Sequence, residues 1–247
     1  MTTKRQQAIC ALLKGIETGE ASAVAVVNPH KYIQHNPQTQ EGGEGLAALF
    51  KRLSKSSPRV NIVRIFSDGD YIFGHTEYDF DTSRVGFEIF RFEGDLTVEH
   101  WDNIQPRKGP NPSGHNMVEG PTVATDLDKT ESNREMVRTF LDAVVINRQF
   151  EKLNHYIDAE NYTEHNPRIG DDLAMLHASL SQIKYDKNHR ILAEGCFVLS
   201  VSEGFTDGVH SSFFDLFRIE NGKIVEHWDT TEAIPPRSEW KNDNGKF

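Results

Sequence analysis

A chain of 247 residues, 37% hydrophobic and 26% charged, is long enough for one to two domains, each with its own core. A net charge of −10 argues against a surface that tracks nucleic-acid phosphates, and no apolar run approaches the roughly 18 residues of a membrane helix. The apolar run at residues 9–13 is too short for a secretory leader, and Cys10 and Cys196 are too few for a zinc ribbon or a disulfide framework, so a reduced cytoplasmic setting is expected.

The first predicted element is a helix in which Ile9, Leu12, Leu13 and Ile16 form one apolar stripe. A short second helix is expected near 22–27, then the turn "YIQHNP" at 32–37, where Pro37 disfavours helix in the preceding Asn36. A third helix covers about 44–53. Strand-like runs follow at 60–66, 71–79, 85–93 and 96–104, with Asp68-Gly69 and Glu93-Gly94 at hairpin positions. Residues 106–130 are rich in Pro, Gly, Asn, Ser and Thr and read as a linker, either free or pinned on the surface through His115, Met117 and Val118.

The same series then recurs. Val137, Phe140, Leu141 and Val144 form a new helical stripe, and Ser132 with Glu135 resembles a capping box at its start. A short helix near 150–156 leads to "YTEHNP" at 162–167, and a third helix covers 172–183. Asn221-Gly222 is the strongest hairpin signal in the chain. "FEIFRFEGDLTVEHWD" at 87–102 matches "FDLFRIENGKIVEHWD" at 214–229 without a gap, with nine of 16 positions identical. The offset is 130 at the first motif and 127 at the second, so the chain is a tandem duplication. Helices followed by strands in each copy argue an α+β fold, with domains at 1–105 and 131–247.

Side chains alternate along a strand, so His100 and Asp102 share one face while Glu99 and Trp101 share the other. His227 and Asp229 repeat the pair, with Val225 on their face and Ile224, Glu226 and Trp228 opposite. An imidazole and a carboxylate about 7 Å apart along one face suit a carboxylate that orients a histidine, or two groups lining one pocket; they could equally decorate an exposed sheet face. Glu88 and Asp215 lie among phenylalanines and are acid–base candidates if buried, or partners of Arg91 and Arg218. The His-Asn pairs of the HNP turns, His35-Asn36 and His165-Asn166, either point into a cup or tie the turn together through backbone hydrogen bonds. His75 aligns with Val201, so it cannot belong to a duplicated site, and His177, replacing Phe50, reads as a core histidine. His35, His75, His100 and Asp102 come from separate elements, so convergence on a metal is left open by the sequence, and no cofactor motif is present.

These motifs resemble the SnoaL-like branch of the nuclear transport factor 2-like superfamily. The resemblance implies two cone-shaped α+β barrels in tandem, each of three helices and a curved antiparallel sheet around an apolar pocket. Members include polyketide cyclases that run an aldol condensation without cofactor, isomerases, and non-catalytic binding or scaffold domains. The pattern carries over to His35, Glu88, His100 and Asp102, and to His165, Asp215, His227 and Asp229. His75 resembles the strand histidine of single-domain relatives, which favours the first copy for catalysis. A small hydrophobic partner is implied, and no metal or cofactor. Pairing through the outer sheet faces, with Trp101 and Trp228 buried there, implies an internal pseudo-dimer or else a homodimer.

Overall fold

The computed structural model describes residues 2–247. Helix α1 (Lys4–Thr18) opens on a capping box in which the Thr3 hydroxyl accepts from the Gln6 backbone and the Gln6 side chain accepts from the Thr3 backbone. Its stripe of Ile9, Leu12, Leu13 and Ile16 is buried, and burying each such side chain stabilises by about 1.5–3 kcal/mol. After a short turn of helix (Ala21–Val26), strand β1 (Ile33–Gln34) and helix α2 (Gly42–Leu53) follow. The long strands are β2 (Arg59–Asp68), β3 (Tyr71–Asp79), β4 (Ser83–Glu93) and β5 (Leu96–Pro106). The sheet order is β1-β5-β4-β3-β2; β2 to β5 form an antiparallel meander, and β1 adds in parallel to β5. The sheet is therefore mixed, because the two-residue β1 enters beside β5 through the HNP loop rather than through a hairpin.

The second copy has helix α3 (Thr130–Phe140), the single turn α4 (Leu153–Tyr156), β6 (Thr163–Glu164) and α5 (Leu173–Gln182). Strands β7 (Ile183–Glu194), β8 (Phe197–Thr206), β9 (Val209–Glu220) and β10 (Lys223–Ala233) complete a sheet of matching order, β6-β10-β9-β8-β7. Asn221 and Gly222 both take positive φ, 50° and 74°, as a two-residue hairpin between β9 and β10 requires. The capping box expected at Ser132 and Glu135 does not form: α3 begins earlier, at Thr130, so the Ser132 hydroxyl bonds back to the Lys129 carbonyl and Glu135 pairs with Arg138. Past Phe140 the helix widens over Leu141–Ile146, and the amides of Asn147 and Gln149 reach the carbonyls of Asp142 and Ala143. Leu141, Val144 and Val145 stay in the core through this widening.

The boundaries differ from those expected. The first unit runs to Pro106 and takes in Ile234–Phe247, whereas the second spans Arg107–Ala233. Residues 107–130 are thus a pinned segment of the second unit, and 234–247 pack with the first unit rather than the second. Each stretch is an arm held by a matching asparagine. In the second unit Asn111 donates its side-chain N–H to the Glu164 carbonyl at 2.7 Å and its Oδ1 accepts from Ser113 and His115 amides. In the first, Asn242 donates to the carbonyls of Asn36 and Thr39 at 2.8 and 2.9 Å and accepts from the Asn244 amide. Gly114 and Gly245, three residues on, both take positive φ, 92° and 82°. The arm is a third repeated element, and each copy receives the arm that follows the last strand of the other.

Candidate functional site

Register decides which residues meet. In the first unit Glu88 pairs across to Gly74 on one side and Asp102 on the other, and in the second Asp215 pairs to Ser200 and Asp229. Their side chains share the helix-covered face with His100 and His227. His75 pairs instead with Phe87, so it lies on the opposite face, where Arg64 Nη1 donates to its Nδ1 at 2.9 Å and Phe87 meets its ring edge-on. It is buried away from Glu88 and His100.

His35 and His165 follow the same rule. Gln34 and Glu164 pair in parallel with His100 and His227, so the next residue turns to the other face. There His35 stacks on Trp101 with ring centres 4.6 Å apart, and His165 stacks on Trp228 at 4.7 Å. His35 Nε2 meets Glu99 at 2.9 Å and Nδ1 meets the Gly245 carbonyl of the arm at 3.1 Å. His165 Nε2 meets Glu226 at 2.8 Å and Nδ1 meets the Asn116 carbonyl at 2.7 Å. Arg91 and Arg218 donate to those same glutamates. These histidines and tryptophans dock the arms. They do not join the His–acid clusters. The expected salt bridges from Glu88 and Asp215 to the two arginines do not form, because the arginines lie on this other face.

On the cluster face the two copies share a plan and differ in charge. In the first, Tyr78 donates to Glu88 at 2.6 Å, Glu88 meets His100 Nε2 at 2.7 Å, and His100 Nδ1 meets the Gln34 side-chain oxygen at 2.9 Å. Asn36 donates to Asp102 at 2.8 Å, and the arm's Lys246 places its ammonium 3.5 Å from the same carboxylate, both side chains being buried. Glu88, His100 and Asp102 each bring a donor atom within 4.8 Å of the others, but Lys246 already supplies the cation beside Asp102.

In the second copy Tyr185 approaches Asp215 at 3.3 and 3.4 Å, Asp215 meets His227 Nε2 at 3.2 Å, and Asn166 donates to Asp229 at 2.8 Å. Gln34 is replaced by Glu164, which sits 2.9 Å from His227 Nδ1 and accepts from Tyr162 at 2.6 Å and from the amides of His165 and Asn166. Burial alone would raise the Glu164 carboxyl, yet His227 beside it and these donors hold it below the usual range. Burial would lower His227, but Glu164 and Asp215 on either side push it well above the usual imidazole range. Asp229 is buried beside those two carboxylates and is raised from 3.8 to about 7, the pull of His227 notwithstanding.

The tyrosine is retained although its strand changes. Tyr78 on β3 pairs with Val60 on β2, whereas Tyr185 on β7 pairs with Gly204 on β8. Gly86 makes room for Tyr78, since a Cβ there would lie 2.7 Å from its ring, and the second copy places Phe213 at that point, against Tyr185. Sequence reasoning missed Tyr78, Tyr185, Gln34, Glu164 and Lys246; of the His-Asn pairs in the HNP turns, the asparagines join the clusters and the histidines do not. The Gln/Glu pair stood inside the matched HNP motifs and was open to the alternation argument. The tyrosines align with no partner and needed the strand register.

A cavity of about 40 Å³ opens onto the second cluster. Phe140, Leu141, Val145, Ile169, Leu176 and Ile183 wall it, and Tyr185, Asp215, His227 and Asp229 supply its polar side. Ile224 also lines it, contrary to strict alternation, because a bulge between Ile224 and Glu226 turns it to the face of His227. His177 is exposed at the edge of Phe150 rather than in the core, since the facing position of α5 turns outward.

Three helical segments and a five-stranded mixed sheet, present twice, give this chain two α+β modules in tandem. No family model and no curated protein matches it. Among solved structures it is similar to a SnoaL-like polyketide cyclase from Agrobacterium tumefaciens, at 12% identity and TM-score 0.34, covering 40% of this chain and 91% of that one. An LEH-like epoxide hydrolase from M. tuberculosis has 21% identity and TM-score 0.35 over 42% of this chain and 85% of its own. An NTF2-like protein of unknown function from Cytophaga hutchinsonii has 12% identity and TM-score 0.36, over 43% and 96% respectively. Each spans about one copy. Among the described residues no helix is long and apolar enough to cross a membrane.

Proposed function

We propose that the second copy is an acid–base active site that removes a proton α to a carbonyl in a small, largely apolar molecule, without a cofactor, for isomerisation or aldol-type closure. The observation that carries this reading is the apolar cavity whose polar side holds Asp229, a carboxyl poised near neutrality. In its ionised form Asp229 takes the C–H proton. The electron pair moves onto the carbonyl oxygen, and the enolate then reprotonates elsewhere or attacks a second carbonyl. Tyr185 is the donor for that oxygen: burial keeps its hydroxyl protonated, and its long contacts to Asp215 let it turn to a ligand. The His227 imidazolium, clamped by Glu164 and Asp215, adds a fixed positive charge. The cavity holds about two or three waters as it stands, which favours a small ligand or walls that part.

Sequence reasoning favoured the first copy. The second is preferred here because Lys246 engages Asp102, the counterpart of Asp229. A non-catalytic binding role uses the same cavity and is supported by the mutual bonding of Glu164, His227 and Asp215. Deuterium exchange at the α-carbons of cyclohexanone in D2O, followed by NMR, separates the two. Exchange that falls about 100-fold or more in Asp229→Asn but persists in Asp102→Asn supports catalysis by the second copy; exchange indifferent to Asp229 leaves the binding role.

A further inference from the structure

The first copy carries a larger cavity that none of Glu88, His100 and Asp102 lines. It lies where the loop after the first HNP turn, helix α2 and the arm at 234–247 meet, and it measures about 220 Å³ against about 40 Å³ beside Asp229. The arm is fixed there by Asn242, which donates to the Asn36 and Thr39 carbonyls, and by the Lys241 amide, which donates to the Pro37 carbonyl at 2.7 Å. On the helix side Gly45 lets the loop lie against α2, since a Cβ there would stand 2.5 Å from the Gln40 carbonyl oxygen. Arg52, from the last turn of α2, and Lys241, from the arm, both line the cavity and are exposed. Among the described residues neither makes an ion pair or a side-chain hydrogen bond. Thr39 lines it as well; it is only 7% exposed, and its hydroxyl has no partner in the protein. A hydroxyl so buried costs free energy unless something in the cavity meets it. The second copy does not carry the set: in the repeat, Pro110, Ser179 and Ile169 stand where the first copy has Lys241, Arg52 and Thr39.

We infer that this cavity binds a small phosphate monoester. Two cations that nothing else neutralises match the dianion that such a group becomes near neutral pH. The Arg52 guanidinium offers paired N–H donors that fit two phosphate oxygens, Lys241 adds a compact positive charge, and the Thr39 hydroxyl supplies a further donor. Ala48 and Leu49, also in the lining, give the carbon chain an apolar surface to rest on. The chain's net charge of −10 repels anions in general, so selective capture comes from this local pair. Because one cation stands on α2 and the other on the arm, the ligand clasps the arm to the first copy. This site is independent of the acid–base reading of the second copy's cavity.

The test is calorimetric titration of the full chain with ethyl phosphate, at about pH 7.5 and low salt, with backbone amides followed by ¹H–¹⁵N NMR. The expected result is saturable binding of one ligand that shifts the Thr39, Gln40 and Lys241 amides. Ethyl sulfate, alike in shape with one charge fewer, should bind about tenfold more weakly. Affinity for ethyl phosphate should fall about tenfold or more in Arg52→Met and in Lys241→Met, and about threefold in Thr39→Val. Both cations are exposed, so their variants keep the fold, which circular dichroism verifies. Lys51→Met removes a neighbouring exposed cation that does not line the cavity and should leave the isotherm unchanged. No saturable binding of ethyl phosphate, equal affinity for ethyl sulfate, or a loss in Lys51→Met as large as that in Arg52→Met overturns the inference.

Discussion

Asp229→Asn should make the protein more stable as pH rises, while abolishing exchange. Asp229 is raised from 3.8 to about 7 by burial beside Glu164 and Asp215. A carboxyl raised on folding holds its proton in the native state where the unfolded chain has lost it. Stability is therefore fully present below about pH 4, falls as pH rises through about 7, and is flat above. At about 1.4 kcal/mol per pH unit, the cost at pH 8 is on the order of 4 kcal/mol. Asparagine keeps an oxygen for the Asn166 amide, 2.8 Å away in the native pair, and carries no charge to desolvate. Urea unfolding of the native chain and the variant at pH 5 and pH 8 measures the difference directly. The native chain should lose about 3 kcal/mol between those pH values relative to the variant, the part of the drop that lies between pH 5 and 7. Parallel pH profiles for the two proteins would refute the placement of a strained carboxyl at this point, and with it the choice of Asp229 as base.

Three other changes probe the rest of the site. Glu164→Gln gives the second copy the residue of the first, and the ¹³C-resolved imidazole signal of His227 should then titrate at lower pH than in the native chain; an unchanged titration would show that Asp215 alone holds the proton. Tyr185→Phe removes the proposed enolate donor and should slow deuterium exchange about 100-fold with little change in unfolding midpoint. Lys246→Met leaves the buried Asp102 without its ammonium and should destabilise the protein by about 3 kcal/mol, read from chemical unfolding, whereas a loss under 0.5 kcal/mol would mean that the pair contributes nothing net.

The repeat and the order of elements were legible because identical residues recur at fixed offset and because apolar positions keep helical and strand periods. Period two also put His100 and Asp102 on one face, as the structure has them; that Glu88 joins them depends on the register of β4 against β5. It failed at Ile224, where one bulged residue reverses the alternation. His35 and His165 were ambiguous because their facing depends on β1 and β6 entering parallel to β5 and β10, a tertiary event with no local signature. Tyr78 and Tyr185 could not be matched by alignment, since the same hydroxyl position is reached from opposite members of a strand pair. Polar, glycine-rich composition leaves open whether 106–130 is a free linker or a pinned segment, and it gives no sign that 234–247 packs with the first unit. The repeated Asn-x-x-Gly at 111–114 and 242–245 was the available signal.

The reciprocal arms also set an order of events during synthesis. The first copy's strands leave the ribosome long before residues 234–247 exist, so its HNP loop waits, unclasped, while the whole second copy is translated. The second copy faces no such delay, because residues 107–119 precede it. Nascent chains halted before residue 234 should therefore carry a finished second module beside a first one still open at the edge where His35 waits for the Gly245 carbonyl.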